Sequence, residues 1–461
     1  MTSVTRTTLW AVGILVVLAL ALPVSNLLTG SPTGTALTSV PPKDAEAAKV
    51  ARVLEQSCAS CHVPDVKAPF YAGLPVAKTI IERDVRDGLR SFDLARGLAP
   101  SARGLVPEPV LAKIEREVKD GEMPPAPYVA LHWNAALGGE KKEAVLAWVK
   151  AQRAAQAAPG VPEPMKTALL RPIPDKLDVD PPKAALGEKL YHDTRLSGDN
   201  TISCASCHDL TKGGTDQQVV SDGIRGQKGG INSPTTYNAA LNFAQFWDGR
   251  AATLEAQADG PPNNPVEMGS NWTPITEKLL QDKAFVKEFT AAYPEGVNKT
   301  TVTHAIAEYE RTLLTPNSRF DKYLRGDETA LTPDEKHGYA VFQEKGCATC
   351  HVGELLGGKS YEVMGVRADY FKARGGKLTD ADNGRYNVTK DEKDRHAFKV
   401  PTLRNVARTF PYFHDGSKKT LREAVDAMAT YQVAEPLAEK DAQAVVKFLE
   451  ALTGEYQGKA L

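Results

Sequence analysis

Thr201-Ile202-Ser203-Cys204-Ala205-Ser206-Cys207-His208 is the stretch from which the fold can be read. It contains C-x-x-C-H, in which two thiols attach a haem covalently and the next histidine ligates its iron. The pattern recurs as Cys58, Cys61 and His62 and again as Cys347, Cys350 and His351, so the three copies use all 6 cysteines. A lone C-x-x-C would suit a zinc site or a redox dithiol. Three copies, each followed by histidine, point to three covalently bound haems c. Haem attachment of this kind occurs outside the cytoplasmic membrane, so the periplasm is the expected compartment.

The sequence upstream is read as a support for these sites. A chain of 461 residues is too long for one domain. Its net charge of −1 gives no basic field for nucleic acid. Leu9 to Leu28 is an apolar run long enough to span a bilayer as helix, and Arg6 before it favours an inside N-terminus. The expectation is an inner-membrane anchor over 1–30 with a Pro/Gly/Ser/Thr tether over 31–44. The alternative is a signal peptide cut near Ala19-Leu20-Ala21.

Residues 45–155 read as an N-terminal haem domain. Val110, Leu111, Ile114 and Val118 form a helical stripe, and Val145, Trp148 and Val149 form another. Between them Met123 precedes two prolines and suits a sixth iron ligand, with His132 as its rival. Residues 156–184 read as linker, 185–328 as a second haem domain and 329–461 as a third. The expected fold class is therefore mainly α: three cytochrome c-like haem domains behind a transmembrane helix. In the third domain Thr332-Pro333-Asp334-Glu335 is a capping box. His192, His304, His337, His396 and His414 read as structural or solvated.

At the second haem, no other histidine occurs between His208 and His304, and the nearby methionine is Met268, beside Glu267. The residues alone leave two readings. Met268 ligates the iron and the haem only passes electrons, or the sixth position is open and Glu267 serves it.

Several motifs resemble those of the bacterial cytochrome c peroxidases with two haems. They are Leu196-Ser197-Gly198, Cys204 to His208, Asn232 to Thr235, Phe246-Trp247-Asp248-Gly249-Arg250, Gln257, Gly260-Pro261, Glu267-Met268, Val400 to Asn405 and Pro411 to Gly416. The likeness spans roughly the last three fifths of the chain. With an additional haem domain behind an anchor, the whole is similar to the tri-haem quinol peroxidases of that superfamily.

The resemblance implies that 185–328 is the peroxidatic domain and 329–461 an electron-transfer domain. The implied reaction takes hydrogen peroxide, two electrons and two protons to two waters. Electrons would pass from haem 1 to haem 3 to haem 2, from a membrane quinol or a soluble cytochrome c. Glu267 matches the carboxylate that moves a proton between the peroxide oxygens, Gln257 its amide partner, and Trp247 the tryptophan between the haems. Met428 matches the methionine ligand of haem 3. Asn232, Thr409 and Pro411 match the ligands of a calcium ion. The related MauG-type oxidases of protein partners have tyrosine where Met428 stands. A purely electron-carrying or redox-sensing triple-haem cytochrome is the other alternative. One departure stands out: Gly226-Gln227-Lys228-Gly229-Gly230 lacks the histidine that often closes the iron in the two-haem enzymes.

Overall fold

The computed structural model describes residues 20–28, 45–64, 66–98, 106–156 and 163–461. They belong to two compact units, Met1–Ala168 and Leu169–Leu461. This corrects the expected fold class on two counts. First, among the described residues no helix is long and apolar enough to cross a membrane. Residues 1–19 and 29–44 of the expected anchor and tether lie outside the described residues. In the helical residues 20–28, Asn26 is buried and its Nδ2 donates to the Leu131 carbonyl at 2.8 Å, a contact with protein. The inner-membrane localisation rested on that anchor and falls with it. Second, the second and third motifs do not sit in separate domains but share one unit.

In the first unit, α1 (Ala45–Ser57), α2 (Glu108–Asp120) and α3 (Gly139–Gln156) enclose the core. Val50, Val53 and Leu54 of α1 meet Val110, Leu111, Ile114 and Val118 of α2 and Val145, Trp148 and Val149 of α3. That is the apolar helical face expected of amphipathic helices. α2 begins with proline in its first turn and stops at Gly121, whose φ of +71° turns the chain out towards Met123. Buried Arg153 ties α3 to α2 through Glu108 and Glu115, each at 2.5 Å.

The second unit is built on two helix pairs. α4 (Pro181–Tyr191) crosses α8 (Lys299–Thr312), and α9 (Pro333–Glu344) crosses α11 (Glu439–Glu450). Each crossing needs a glycine. A Cβ on Gly187 would lie 1.9 Å from the Ala305 carbonyl oxygen, and one on Gly338 2.0 Å from that of Ala444. The capping box at Thr332–Glu335 starts α9 as its sequence foretells. In the chain α5 (Leu254–Ala258), α6 (Trp272–Gln281) and α7 (Lys283–Ala292) come between α4 and α8, and α10 (Leu421–Met428) between α9 and α11. β1 (Tyr361–Val363) pairs antiparallel with β2 (Ala397–Lys399), Tyr361 opposite Lys399.

One buried polar hub shows why the two halves form one body. Asn238 and Asn405, both at φ near +60°, each donate from Nδ2 to Thr315 Oγ1, at 2.7 and 2.9 Å. Asn238 Oδ1 accepts from Thr315 N and Asn405 Oδ1 from Gly454 N. All three side chains are buried, so every polar atom must find a partner inside. Arg404 adds a second tie through Asp321 at 2.8 Å and the carbonyls of Glu354 and Arg171. Leu170, Arg171 and Ile173, which composition alone reads as linker, are buried in this unit.

Candidate active site

The three C-x-x-C-H motifs fold as short helical turns that present paired thiols. Cys58 precedes the turn Ala59–His62, which carries Cys61, and Cys204–Cys207 is itself one turn. The third motif departs from this pattern. Its turn is only Cys347–Thr349, and Cys350 falls just past the end, where its N–H donates to the Cys347 carbonyl at 3.3 Å and its Sγ lies 3.8 Å from Thr349 Oγ1. Cys58, Cys61, Cys204, Cys207, Cys347 and Cys350 are all free thiols and only half buried, so none is consumed by a disulfide. Burial pushes the Cys58 and Cys204 thiols up to about 12 and Cys61 to about 11.

Each motif histidine has its Nδ1 facing a backbone carbonyl: His62 that of Phe92 at 2.9 Å, His208 that of Gly214 at 3.4 Å, His351 that of Leu356 at 2.9 Å. A carbonyl can only accept, so Nδ1 carries the proton and Nε2 keeps its lone pair for iron. Burial lowers the pKa of His208 and takes His351 to about 4, which keeps both rings neutral.

The possible sixth ligands separate clearly. Met123 stands 37% exposed just past the end of α2. Met428 ends α10, where the helix widens into a π-helical turn over Ala429–Val433. Met268 instead is 3% exposed and packs in the core with Leu190, Leu196 and Ile275. His132 is satisfied at both ring nitrogens, by the Tyr71 hydroxyl at 2.9 Å and the Tyr128 carbonyl at 3.0 Å.

Glu267 lies on a loop stitched to the segment that follows the second motif. Ile224 N donates to the Glu267 carbonyl at 2.7 Å, and Gln227 Nε2 to that of Pro265 at 3.0 Å. The loop approaches so closely that a Cβ on Gly223 would sit 1.9 Å from the Val266 oxygen. The half-buried Glu267 carboxylate accepts from Asn264 Nδ2 at 2.7 Å. Burial raises its pKa, against the charge of Arg250 and the Asn264 hydrogen bond. Its charge reaches the second motif: burial, then Asp216, Glu267 and Asp222 against a Ser221 hydrogen bond, takes Cys207 to about 11. Gln257 is half buried on α5, one short turn upstream of that loop.

Trp247 joins the halves of the unit. Its Nε1 donates to the Asn232 carbonyl at 2.8 Å, and its own carbonyl accepts from Lys399 N at 2.7 Å. The indole stands edge-on to Phe398 and His414, each at 6.4 Å between ring centroids. Asn232 N donates to the His414 carbonyl at 2.8 Å, and Asn232 Nδ2 to that of Gln218 at 2.8 Å. Thr409 closes the turn Val406–Arg408 and Pro411 follows it on the way to His414, and among the described residues no backbone N–H is bonded to either carbonyl.

Two groups beside Trp247 were not visible as site residues in the sequence. His414 is buried and its Nε2 meets Asp382 at 2.8 Å; Asp382 in turn is clamped by Arg374 at 2.6 Å. Asp382, His414 and Asp415 have the spacing of a metal site, but Arg374 already neutralises both carboxylates. Lys399, in the buried run Phe398-Lys399-Val400, is 7% exposed, and burial takes its ammonium down to about 8. Its hydrogen bond among the described residues is a long one of 3.5 Å to Asn242. A lysine inside so apolar a run was the signal available.

Motifs that fix neutral imidazoles beside paired thiols define a haem oxidoreductase of the cytochrome c type. Comparison with known proteins narrows the class. The chain matches the family model described as di-haem cytochrome c peroxidase over residues 181–329, and a haem-binding domain over 21–151. It is 47% identical over 408 residues to the cytochrome c peroxidase Ccp of Escherichia coli, covering 87% of this chain and 86% of that one. It is 45% identical over 274 residues to the cytochrome c551 peroxidase of Nitrosomonas europaea, covering 59% and 80%. A solved MauG-like protein associated with microbial copper homeostasis superposes with a TM-score of 0.56 at 27% identity, over 65% of this chain and 96% of that one. The chain belongs to the bacterial di-haem cytochrome c peroxidase family and is a peroxidase-type oxidoreductase.

The family model also corrects the expected three haem domains: what matches is a di-haem peroxidase region preceded by one haem-binding domain. The matched ranges take in Cys58, Cys61, Cys204 and Cys207 but end at 329, short of Cys347, Cys350 and His351. The third attachment expected at Cys347 and Cys350 therefore stands on its own motif and not on the family match.

Proposed function

We propose that this protein reduces hydrogen peroxide to two waters at a haem held by Cys204, Cys207 and His208, and that two further haems c, on Cys58 and Cys61 and on Cys347 and Cys350, feed it. Haem supplies an iron that takes peroxide and the capacity to pass electrons. The remaining chemistry falls to side chains. Glu267 takes the proton from the peroxide oxygen nearer the iron and returns it to the farther one, which leaves as water. A carboxyl with a raised pKa, held by Asn264, is suited to do both. Gln257 orients the peroxide by hydrogen bonding. Trp247 is the path by which electrons cross the unit, with Met123 and Met428 closing the two relay irons.

The observation that carries this reading is Glu267, set on a loop sewn to residues 223–227 while Met268 turns into the core. Those same bonds pin the histidine-free loop, which would therefore offer no sixth ligand to an iron held by His208, so no reductive activation would be needed. The order of electron entry is first motif, third motif, second motif. The relatives' name favours a soluble cytochrome c as donor over a membrane quinol. Met428 favours electron relay over oxidation of a protein partner. Asn232 spends Nδ2 on the Gln218 carbonyl, which leaves Oδ1 to join the Thr409 and Pro411 carbonyls around a calcium ion.

Replacing Cys204 and Cys207 together by serine tests the assignment. The haem count should fall from three to two and peroxide turnover should vanish. Turnover that survives in a two-haem protein rules the second motif out as the reactive one.

A further inference from the structure

Four tyrosines form a cluster against the second motif. Tyr191, Tyr237 and Tyr309 are buried with Leu313, and Cys204 and Tyr456 pack on them. The Tyr191 hydroxyl donates to the carbonyl of His208 itself at 2.6 Å. Tyr191 and Tyr309 meet edge to face with ring centroids 5.2 Å apart. Tyr309 and Tyr456 interact through their hydroxyls, and Tyr456 meets Tyr237 at 5.3 Å. Tyr456, half buried, then borders a cleft of about 410 Å³ walled in part by Leu177, Leu314 and Pro316. Phenylalanine would fill this core without hydroxyls to satisfy. Tyrosine adds a ring that can be oxidised by one electron, and the rings run from the iron ligand's backbone to solvent.

We propose that Tyr191, Tyr309 and Tyr456 carry oxidising equivalents from the His208 haem to this cleft, where a small phenol is the reductant. The idea rests on the second motif being the peroxide site. Tyr456 loses one electron inward and its hydroxyl proton to water, and a phenol O–H restores both. Two phenols and one H2O2 give two phenoxyl radicals and two waters. The phenol class follows from that balance, because Tyr456 must regain an electron and a proton together, and the mixed lining of the cleft, with Leu177, Leu314 and Pro316 beside Arg311, Asn317 and Glu455, suits a ring that carries a hydroxyl. Tyr309 can shift its proton to the Tyr456 oxygen along their shared hydrogen bond as Tyr456 releases its own to water, whereas Tyr191, whose hydroxyl donates to the His208 carbonyl, keeps its proton and serves only as the ring through which the electron tunnels.

The test treats the three-haem protein with peroxide and a nitroso spin trap without donor, and locates adducts by peptide mass spectrometry. The adduct should fall on Tyr456 and drop roughly tenfold or more in Tyr309→Phe. Oxidation of p-cresol should fall by a similar factor in Tyr309→Phe and Tyr456→Phe. Peroxide reduction by reduced cytochrome c should be unchanged in both. An adduct at Tyr456, or p-cresol oxidation, that is indifferent to Tyr309→Phe overturns the relay. Wild-type protein that consumes peroxide but leaves Tyr456 unlabelled also overturns it. Wild-type protein that consumes no peroxide overturns the peroxide-site reading beneath it.

Discussion

Glutamine at position 267 separates proton transfer from everything else that Glu267 does. It keeps the side-chain volume and the oxygen that accepts from Asn264 at 2.7 Å. It also removes a half-buried charge, so the loop loses no hydrogen bond and the fold no stability. What goes is the site that accepts and returns a proton. A positioned general acid–base contributes about 10²–10⁴-fold, or about 2.7–5.5 kcal/mol at 1.36 kcal/mol per tenfold. Stopped-flow measurement of kcat/KM for peroxide in Glu267→Gln should show that loss with the haem content intact. The pH dependence gives the sign. Burial raises the Glu267 pKa against the charge of Arg250, and the ionised form is the one that takes the peroxide proton. Activity should therefore fall as pH drops through a value above the ordinary glutamate range. Arg250→Ala should move that limb higher still, though modestly, since the Arg250 side chain is 46% exposed. A loss below about tenfold in Glu267→Gln, or an acid limb that persists in it, would refute the role.

Asp382→Asn should destabilise the second unit by about 1–3 kcal/mol in urea unfolding, because His414 loses its buried carboxylate partner while Arg374 keeps Asp415. Burial opposes ionisation of Asp382, but Arg374, the Thr379 N–H and His414 hold it well below the ordinary range, while burial lowers His414 despite Asp382. Asp382 thus contributes stability that is present above the unfolded carboxylate pKa and lost as pH falls through its lower folded value. His414 contributes in the same direction, since the unfolded imidazole binds protons more readily, so wild-type stability should decline on acidification from about pH 6.5; Asp382→Asn removes a group that raises the His414 pKa, so that variant should decline more steeply there and lack only the carboxylate component at lower pH. Gly338→Ala should cost roughly 1–3 kcal/mol and lower the Tm, because its methyl would sit on the Ala444 oxygen and pry α9 from α11. Chelation should lower the Tm of wild-type protein and leave Asn232→Ala unmoved; a calcium site at 100 times its Kd is worth about 2.7 kcal/mol.

What the sequence disclosed depended on whether a residue's chemistry was local. The three haem motifs, the stripes of α1 to α3 and the capping box of α9 are set by neighbours in the chain, and all could be read there. Glu267 and Met268 are adjacent, so spacing could not say which one the loop presents. Only the packing of Met268 with Leu190, Leu196 and Ile275 separates them. His414 reads as an ordinary histidine because Asp382 and Arg374, which fix it, come from distant segments. The apolar run at 9–28 invited a membrane span because hydropathy cannot anticipate that Asn26 is buried and bonded to Leu131.

The deepest regularity is a repeat within the second unit. Pro234, Thr235, Asn238, Phe246, Asp248, Gly249 and Thr253 recur at one constant offset as Pro401, Thr402, Asn405, Phe413, Asp415, Gly416 and Thr420. The copies fold alike: Phe246 and Phe413 have φ of 68° and 71°, and Gln245 N and Tyr412 N each close their turn at 2.7 Å. Thr253 and Thr420 then cap α5 and α10, each through a 3.2 Å bond. From there the copies part. α10 runs eight residues and delivers Met428 at its end, whereas α5 stops after five and enters Gly260-Pro261-Pro262. At the same offset, Pro261 occupies the place of Met428. Pro261 lies in a second short helical turn, Gly260–Asn263, separated from α5 by Asp259, and after it the chain reaches the loop that carries Glu267. One frame used twice therefore ends on Met428 in one half and leads to the loop of Glu267 in the other, and the copies part where α5 gives way to the turn Gly260–Asn263.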